Sequence, residues 1–186
     1  TIKLSVFLFL LLVVSGCSVW DNFTTYFNLY FNTASLFEDA ELEINAQKRD
    51  LFSTEPFVLP GNAKTALVKV VEKSSKLLQF YSTSSYVDEA LMMLGKSFYY
   101  QGNFQKSKRK FEELIATEID DDEIITEANL WIAKNAFELR EFSQALELIK
   151  EVRIKAVEED YENIVKDSYV QEIKHRIREK EFPQAI

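Results

Sequence analysis

The amino-acid sequence predicts an all-α protein built from helical hairpins. Only four Gly and three Pro occur in 186 residues, which leaves little of the turn chemistry that a many-stranded sheet needs. Leu, Ala, Glu and Lys, which favour helices, are abundant. A stretch of about two dozen residues also recurs 38 positions later, which is typical of stacked helical repeats.

Residues 1–16 have the pattern of a lipoprotein signal peptide. Lys3 precedes the apolar run LSVFLFLLLVV, residues 4–14, which is shorter than the roughly 20 residues that span a bilayer as a helix. Small residues, Ser15 and Gly16, follow the run, in the order typical of a secretory signal. We therefore expect the chain to be exported.

Cys17 is the only cysteine of the sequence and directly follows this run. The stretch VSGC, residues 14–17, resembles the lipobox of bacterial lipoproteins. That resemblance implies that the Cys17 thiol carries palmitate or a similar acyl chain and that residues 17–22 form a short tether. Ser18, rather than Asp, follows the cysteine, which in this class implies the outer membrane, with the protein on its periplasmic face. A buried, incidental cysteine is the alternative, but its position argues against it.

The first predicted helical pair covers about 23–81. Its first helix has one apolar face, because aromatic and small residues step by four and three: Phe23, Phe27, Tyr30, Ala34 and Phe37. Pro60 and Gly61 then break the chain, and Asn62 is predicted to cap the second helix. The apolar face of that helix comprises Ala63, Ala66, Leu67, Val70, Val71, Leu77 and Leu78.

Two further pairs are related by sequence similarity. Residues 89–114 align with residues 127–152 at a constant offset of 38, so that Lys96 matches Lys134 and Phe104 matches Phe142. The segment KEFPQA, residues 180–185, repeats REFSQA, residues 140–145, after 40 positions. We therefore place hairpins at about 86–120 and 124–156 and an incomplete one at 165–186, all within a repeat domain covering 23–186.

The first aligned copy resembles the tetratricopeptide repeat in its order of large, small, aromatic and Gly positions. These positions are Leu91, Leu94, Gly95, Phe98, Gly102, Phe104, Ser107, Phe111 and Leu114. The resemblance implies a solenoid of helical hairpins with a right-handed superhelix. Gly95 and Ser107 are expected to let the paired helices approach closely. In the second copy Arg140 replaces the turn glycine, and Trp131 and Phe137 are expected to supply the aromatic bulk.

The aromatic first helix and the segment 82–104, taken with the lipobox, resemble the family of outer-membrane assembly lipoproteins that includes BamD. This implies a lipid-anchored scaffold that binds envelope or outer-membrane proteins. A structural or self-associating envelope protein without a specific client is the alternative that the sequence leaves open.

In the tetratricopeptide family the first helix of each repeat lines a partner-binding groove. The matching residues here are Glu89, Met92, Lys96, Tyr99, Tyr100, Glu127, Leu130, Lys134, Phe137 and Glu138. Because Lys96 and Lys134 recur one repeat apart, we expect a partner segment that carries carboxylates. Tyr99 and Tyr100 offer large contact areas to a partner, although packing against the neighbouring repeat is an open alternative.

Other functions find little support in the sequence. A net charge of -8 without a basic stripe disfavours nucleic-acid binding. No GxSxG, HExxH, Walker-type or CxxC motif is present, so we expect no catalysis, small-molecule substrate, cofactor or metal. We expect His175 to lie on a solvated helix face, and residues 117–124 to form a loop in which an Asp caps a helix. The charges of residues 158–167 are expected to form ordinary surface pairs.

Overall fold

The computed structural model describes residues 27–47, 57–82, 84–117 and 119–179. These residues form seven α-helices and no strand, which confirms the all-α prediction. The helices are α1, which covers 27–45; α2, Gly61–Phe80; α3, Val87–Tyr100; α4, Phe104–Ile115; α5, Asp122–Glu138; α6, Phe142–Glu158; and α7, Glu162–Arg178. Cys17 and the rest of residues 1–26, together with the KEFPQA segment, lie outside the described residues.

Consecutive helices pack against each other as antiparallel pairs. Helix α3 contacts α4 and α5 contacts α6, and each pair is joined to its neighbours through the contacts of α2 with α3, α4 with α5 and α6 with α7. Helix α5 also contacts both α3 and α7. This arrangement is consistent with a helical repeat. Within the described residues, no helix combines the length and apolar character needed to cross a membrane.

The buried apolar residues of the described helices form three clusters. The first joins α1, α2 and α3 and includes Phe37, Leu67 and Met93. The second joins α3, α4 and α5, and the third joins α5, α6 and α7. The apolar faces predicted for α1 and α2 are confirmed, since Phe37, Ala63, Leu67, Val70 and Leu77 are buried; Phe23 lies outside the described residues.

Three tight turns share one backbone conformation. Gly102, Arg140 and Asp160 have φ values of 75, 65 and 59°, in the left-handed region that favours glycine. In each turn the next residue donates its N–H to a carbonyl five residues earlier, at 2.8 to 2.9 Å. Arg140 therefore does adopt the conformation of the turn glycine that it replaces. The same turn joins α6 directly to α7, so that α7 begins at Glu162, close to position 165 where the sequence analysis began the incomplete hairpin.

The start of α2 differs from the prediction. Pro60 is the residue before the helix, and the backbone N–H of Lys64 bonds to the Pro60 carbonyl at 2.8 Å. Asn62 therefore lies inside the first turn, where its side chain cannot act as the cap, and the predicted Asn62 cap is wrong. Proline tolerates this site because its fixed φ of −55° suits a helix entry.

The start of α5 follows the prediction. The Asp121 side chain accepts a hydrogen bond from the backbone N–H of Ile124 at 3.0 Å, which satisfies one of the free donors of the first turn. Asp121 and Asp122 are exposed, so the acidic run is solvated as predicted, but the loop is shorter than predicted because α5 already begins at Asp122.

Helices α3 and α4 approach closely at Gly95. A Cβ atom built on Gly95 would lie 2.7 to 2.9 Å from three atoms of the Phe111 ring, whereas Phe111 itself is completely buried. The prediction of a tight crossing at Gly95 is therefore confirmed. The Trp131 ring stacks on the Phe111 ring, with centroids 5.8 Å apart and planes 13° from parallel, so the next repeat packs on this crossing.

The predicted exposure of His175 is wrong. Its side chain is buried against two aromatic rings, with centroids 5.1 Å from Phe137 and 4.6 Å from Phe142. These rings stand on either side of the α5–α6 turn, and α7 packs over that turn. The apolar environment was not visible in the sequence because Lys and Arg flank His175 on both sides.

Candidate functional site

The ten residues predicted to line a groove lie in four different environments. Glu89, Met92 and Glu127 line one open cavity, whereas Phe137 and Glu138 line a second. Lys96, Tyr99, Tyr100 and Lys134 surround Trp131, and Leu130 is buried in the core cluster of α5, α6 and α7. The described structure therefore brings the first three residues together, near the contact of α1, α3 and α5.

The two tyrosines pack within the chain. The Tyr99 ring contacts Trp131 edge-on, with centroids 5.1 Å apart, and the Tyr100 ring does so at 5.8 Å. The Tyr100 hydroxyl donates a hydrogen bond to Glu41 of α1 at 2.8 Å. Burial, followed by the charge and hydrogen bond of Glu41, raises the pKa of Tyr100 far above its ordinary value. This geometry corresponds to the alternative in which both rings pack against neighbouring helices.

Lys96 is bound by a carboxylate of the next repeat. Its Nζ lies 2.8 Å from Glu127 Oε1 and 5.5 Å from the centroid of the Trp131 ring. The Trp131 indole N–H also donates to Glu127 Oε1, at 3.1 Å. Burial alone would raise the pKa of Glu127, but the charge and hydrogen bond of Lys96, with the bond from Trp131, hold it below its ordinary value. The carboxylate therefore remains ionised in the folded protein.

Lys134 is bound in the same way. Its Nζ lies 2.9 Å from Asp167 Oδ2 and 3.4 Å from the centroid of the Trp131 ring, and its side chain is only 10% exposed. Burial lowers the pKa of Lys134, with Asp167 opposing that shift. Burial would raise the pKa of Asp167, but the charge of Lys134 and a hydrogen bond from Gln171 bring it below its usual value. Asp167 is thus an inter-repeat partner, not one of the predicted ordinary surface charges.

These two ion pairs form a ladder that follows the repeat. In each pair a lysine of one repeat binds a carboxylate of the next: Lys96 binds Glu127, and Lys134 binds Asp167. The carboxylates are at positions 89, 127 and 167, and the lysines at positions 96, 134 and 174. Both series have the same spacings of 38 and 40, and Glu89 is the first carboxylate. A search for charges at the repeat offset would have found this ladder in the sequence.

Among the described residues, none supplies Glu89 with the cation that its two equivalents have. Its Oε2 atom is buried and receives no hydrogen bond from any described residue. Burial raises the pKa of Glu89, the residue's own backbone N–H opposes that shift, and the charge of Asp88 adds to it. The residues that face it from the described part of α1 include Tyr30 and Glu38, and residues 27–47 contain no Lys, Arg or His. In the part of the chain that the structure describes, the first step of the ladder is therefore a carboxylate without a lysine.

The cavity beside Glu89 has a volume of about 350 Å³. Apolar or aromatic residues form much of its lining: Tyr30, Ala34, Phe37, Met92, Met93 and Ile124. Five carboxylates complete it: Glu38, Glu41, Asp88, Glu89 and Glu127. Three of these already have a partner, since Lys96 binds Glu127, and Glu41 and Asp88 accept hydrogen bonds from the hydroxyls of Tyr100 and Thr117. The cavity thus combines apolar surface with an excess of negative charge.

The second cavity, of about 430 Å³, lies between α5 and α7. Its lining includes Phe137, Glu138, Arg140, Lys174 and Arg178. The Arg178 guanidinium binds Glu138 at 3.2 Å, so opposite charges compensate each other across part of this cavity. It borders the end of α7, after which residues 180–186 lie outside the described structure.

A metal site requires several ligating side chains held close together. Among residues 27–47, 57–82, 84–117 and 119–179, no group of three or more His, Cys, Asp and Glu side chains is placed to hold a metal ion.

No model of a known protein family and no curated protein sequence matches this chain.

Proposed function

We propose that this chain is a tetratricopeptide-type scaffold, anchored through a lipid on Cys17 at the periplasmic face of the outer membrane. It binds protein partners of the cell envelope and acts in the assembly of outer-membrane proteins. It works by binding, without a catalytic site or cofactor of its own. The anchor rests on the lipobox-like segment 14–17, and the process rests on the resemblance of the sequence to assembly lipoproteins.

The observation that carries the binding role is the open cavity between α1, α3 and α5. It lies where the first helices of successive repeats meet, which is the face that tetratricopeptide proteins use for partners. Apolar surface and an unpaired carboxylate occur together there, and such a combination costs stability unless something binds it. Because Tyr99 and Tyr100 pack within the chain, we place the partner surface at Met92 and Glu89 instead.

The partner surface is tested by photocrosslinking in the native envelope. A crosslinking amino acid at position 92 is expected to capture a distinct protein, whereas one at position 109, on the exposed side of α4, is not. The matched site controls for expression and for nonspecific capture. Equal capture from both positions would contradict a specific site, and capture of a second copy of this chain would favour the self-associating alternative.

The anchor is tested separately. The Cys17→Ser variant is expected to lose fatty-acid labelling and to leave the membrane fraction, because it removes the thiol to which the proposed lipid is attached and with it the anchor. Labelling that persists in Cys17→Ser would contradict the anchor without affecting the cavity.

A further inference from the structure

The structure points to a specific ligand chemistry for this cavity. We propose that Glu89 binds a lysine or arginine side chain from a partner protein, with apolar residues next to that side chain filling the cavity. The proposal rests on the proposed scaffold function and specifies the partner's chemistry.

The chain itself shows what binds at this position of the repeat. The two carboxylates equivalent to Glu89 each hold a lysine ammonium group at 2.8 to 2.9 Å. In both cases the lysine comes from the preceding repeat. Lys96 and Lys134 both lie on the first helix of their pair; for Glu89 the corresponding helix is α1, whose described part carries Glu38, Asp39, Glu41 and Glu43 and no basic residue. A basic side chain supplied by another protein would complete the ladder with the contacts that the chain already uses twice.

The shape of the cavity favours a basic side chain over a free cation. A bare cation would leave the apolar lining exposed, whereas Lys and Arg can lay their aliphatic stems along such a surface with the charged group at a carboxylate. Lys134 shows this arrangement, because its side chain is buried beside aromatic rings while its ammonium group reaches Asp167. Met92 and Met93 add flexible, polarizable surface that adapts to different neighbours.

The charge around the cavity selects against the partner that the sequence analysis expected. Lys96 and Lys134, which were expected to attract carboxylates, are already bound by Glu127 and Asp167. A partner carboxylate would meet Glu38, Asp88 and Glu89 and would be repelled. The described structure therefore supports a basic partner segment at this cavity, not an acidic one.

The two methionines provide a direct assay, because they are the only ones in the chain and both line the cavity. The full-length protein, kept in detergent and labelled with ¹³C at the methionine methyl groups, is titrated with the peptide acetyl-Ala-Leu-Lys-Leu-Ala-amide. The same peptide with Gln or Glu in place of Lys serves as the comparison. We expect both methyl signals to shift and saturate with the Lys peptide, with about tenfold weaker binding of the Gln peptide.

Variants assign the preference to Glu89. Glu89→Gln is expected to reduce the Lys-over-Gln preference to about twofold or less, whereas Glu112→Gln, an exposed carboxylate on α4, leaves it unchanged. The methionine spectrum itself reports whether each variant is folded. Equal binding of the three peptides, or a preference that survives in Glu89→Gln, would overturn the proposal.

Two other occupants give distinct results. Methyl shifts that change when the peptide-free protein is diluted would show that a second copy occupies the cavity. Methyl shifts in the peptide-free Trp20→Ala variant would show that the chain's own N-terminal segment does so, and either result would overturn the proposal. If the Lys preference is found but position 92 captures no partner in the envelope, the proposed scaffold function fails while the Glu89 site stands.

Discussion

Two substitutions at equivalent positions of the repeat are expected to change stability in opposite directions. Glu89→Gln should raise the free energy of unfolding at neutral pH, because it removes a charge that burial disfavours and that no described residue pairs. Removing the desolvation penalty of one partly solvated, unpaired polar atom should raise the free energy of unfolding by about 0.5 to 1 kcal/mol. The gain is limited because the Gln amide is itself polar and also lacks an evident partner.

Glu127→Gln should lower the free energy of unfolding. It breaks the ion pair with Lys96 and leaves that ammonium group, whose side chain is only 15% exposed, without a counter-charge. It also weakens the hydrogen bond from the Trp131 indole. Removing one partner of a buried pair costs up to about 3 to 5 kcal/mol, but about a third of the Glu127 side chain is exposed to solvent, so we expect about 1 to 2 kcal/mol.

The pH dependence separates these effects from simple changes in packing. The pKa of Glu89 is higher in the folded state than in the unfolded chain, so protonation favours folding and the advantage of Gln disappears as the pH falls through that pKa. The pKa of Glu127 is lower in the folded state. Its contribution is therefore complete above the unfolded-state pKa and is lost as the pH falls through the folded-state pKa, which also reduces the cost of Gln.

The assay is urea unfolding of the parent and both variants at pH 7.5 and pH 4, followed by circular dichroism. At pH 7.5 the variants should bracket the parent, with Glu89→Gln more stable and Glu127→Gln less stable, and the differences should shrink at pH 4. A destabilised Glu89→Gln at pH 7.5, or a Glu127→Gln as stable as the parent, would refute the reasoning that Glu89 is unpaired and that Glu127 is paired with Lys96.

Two further substitutions test the backbone of the repeat. Gly95→Leu should overpack the crossing with Phe111 and lower the free energy of unfolding by about 1 to 3 kcal/mol, whereas Gly61→Leu, with no atom within 4 Å of its added Cβ, should change it far less in the same melting experiment. Arg140→Gly should raise the free energy of unfolding by about 0.5 to 1 kcal/mol and Gly102→Ala should lower it by a similar amount, because both positions require positive φ; equal effects of the same sign in urea unfolding would contradict this.

The sequence predicted the all-α class, the two aligned hairpins and the Gly95 crossing because each depends on short-range spacing. Apolar residues at helical intervals define the buried faces of α1 and α2, and a glycine facing large aromatics requires a close approach. The cap of α2 was missed because Pro60 and Asn62 are both plausible entry residues two positions apart. Helix boundaries depend on such local competition, and sequence patterns resolve it poorly.

The candidate site was predicted less completely because it depends on which helices meet. Met92, Glu89 and Glu127 line one cavity, but the sequence could not show that Tyr99 and Tyr100 would pack around Trp131. The lysines were interpreted as partner-binding because their carboxylates belong to the following repeat, 31 and 33 residues away. His175 was misplaced for the same reason, since its burial comes from the α5–α6 turn.

The most direct measurement of the open ladder step is the titration of the individual carboxyl groups by ¹³C NMR. The account predicts that the pKa of Glu89 lies above the ordinary value for glutamate, while the pKa values of Glu127 and Asp167 lie below the ordinary values for their residue types. A Glu89 pKa at or below that of Glu127 would show that a cation within the chain already neutralises Glu89, and it would contradict the open step on which the proposed partner site depends.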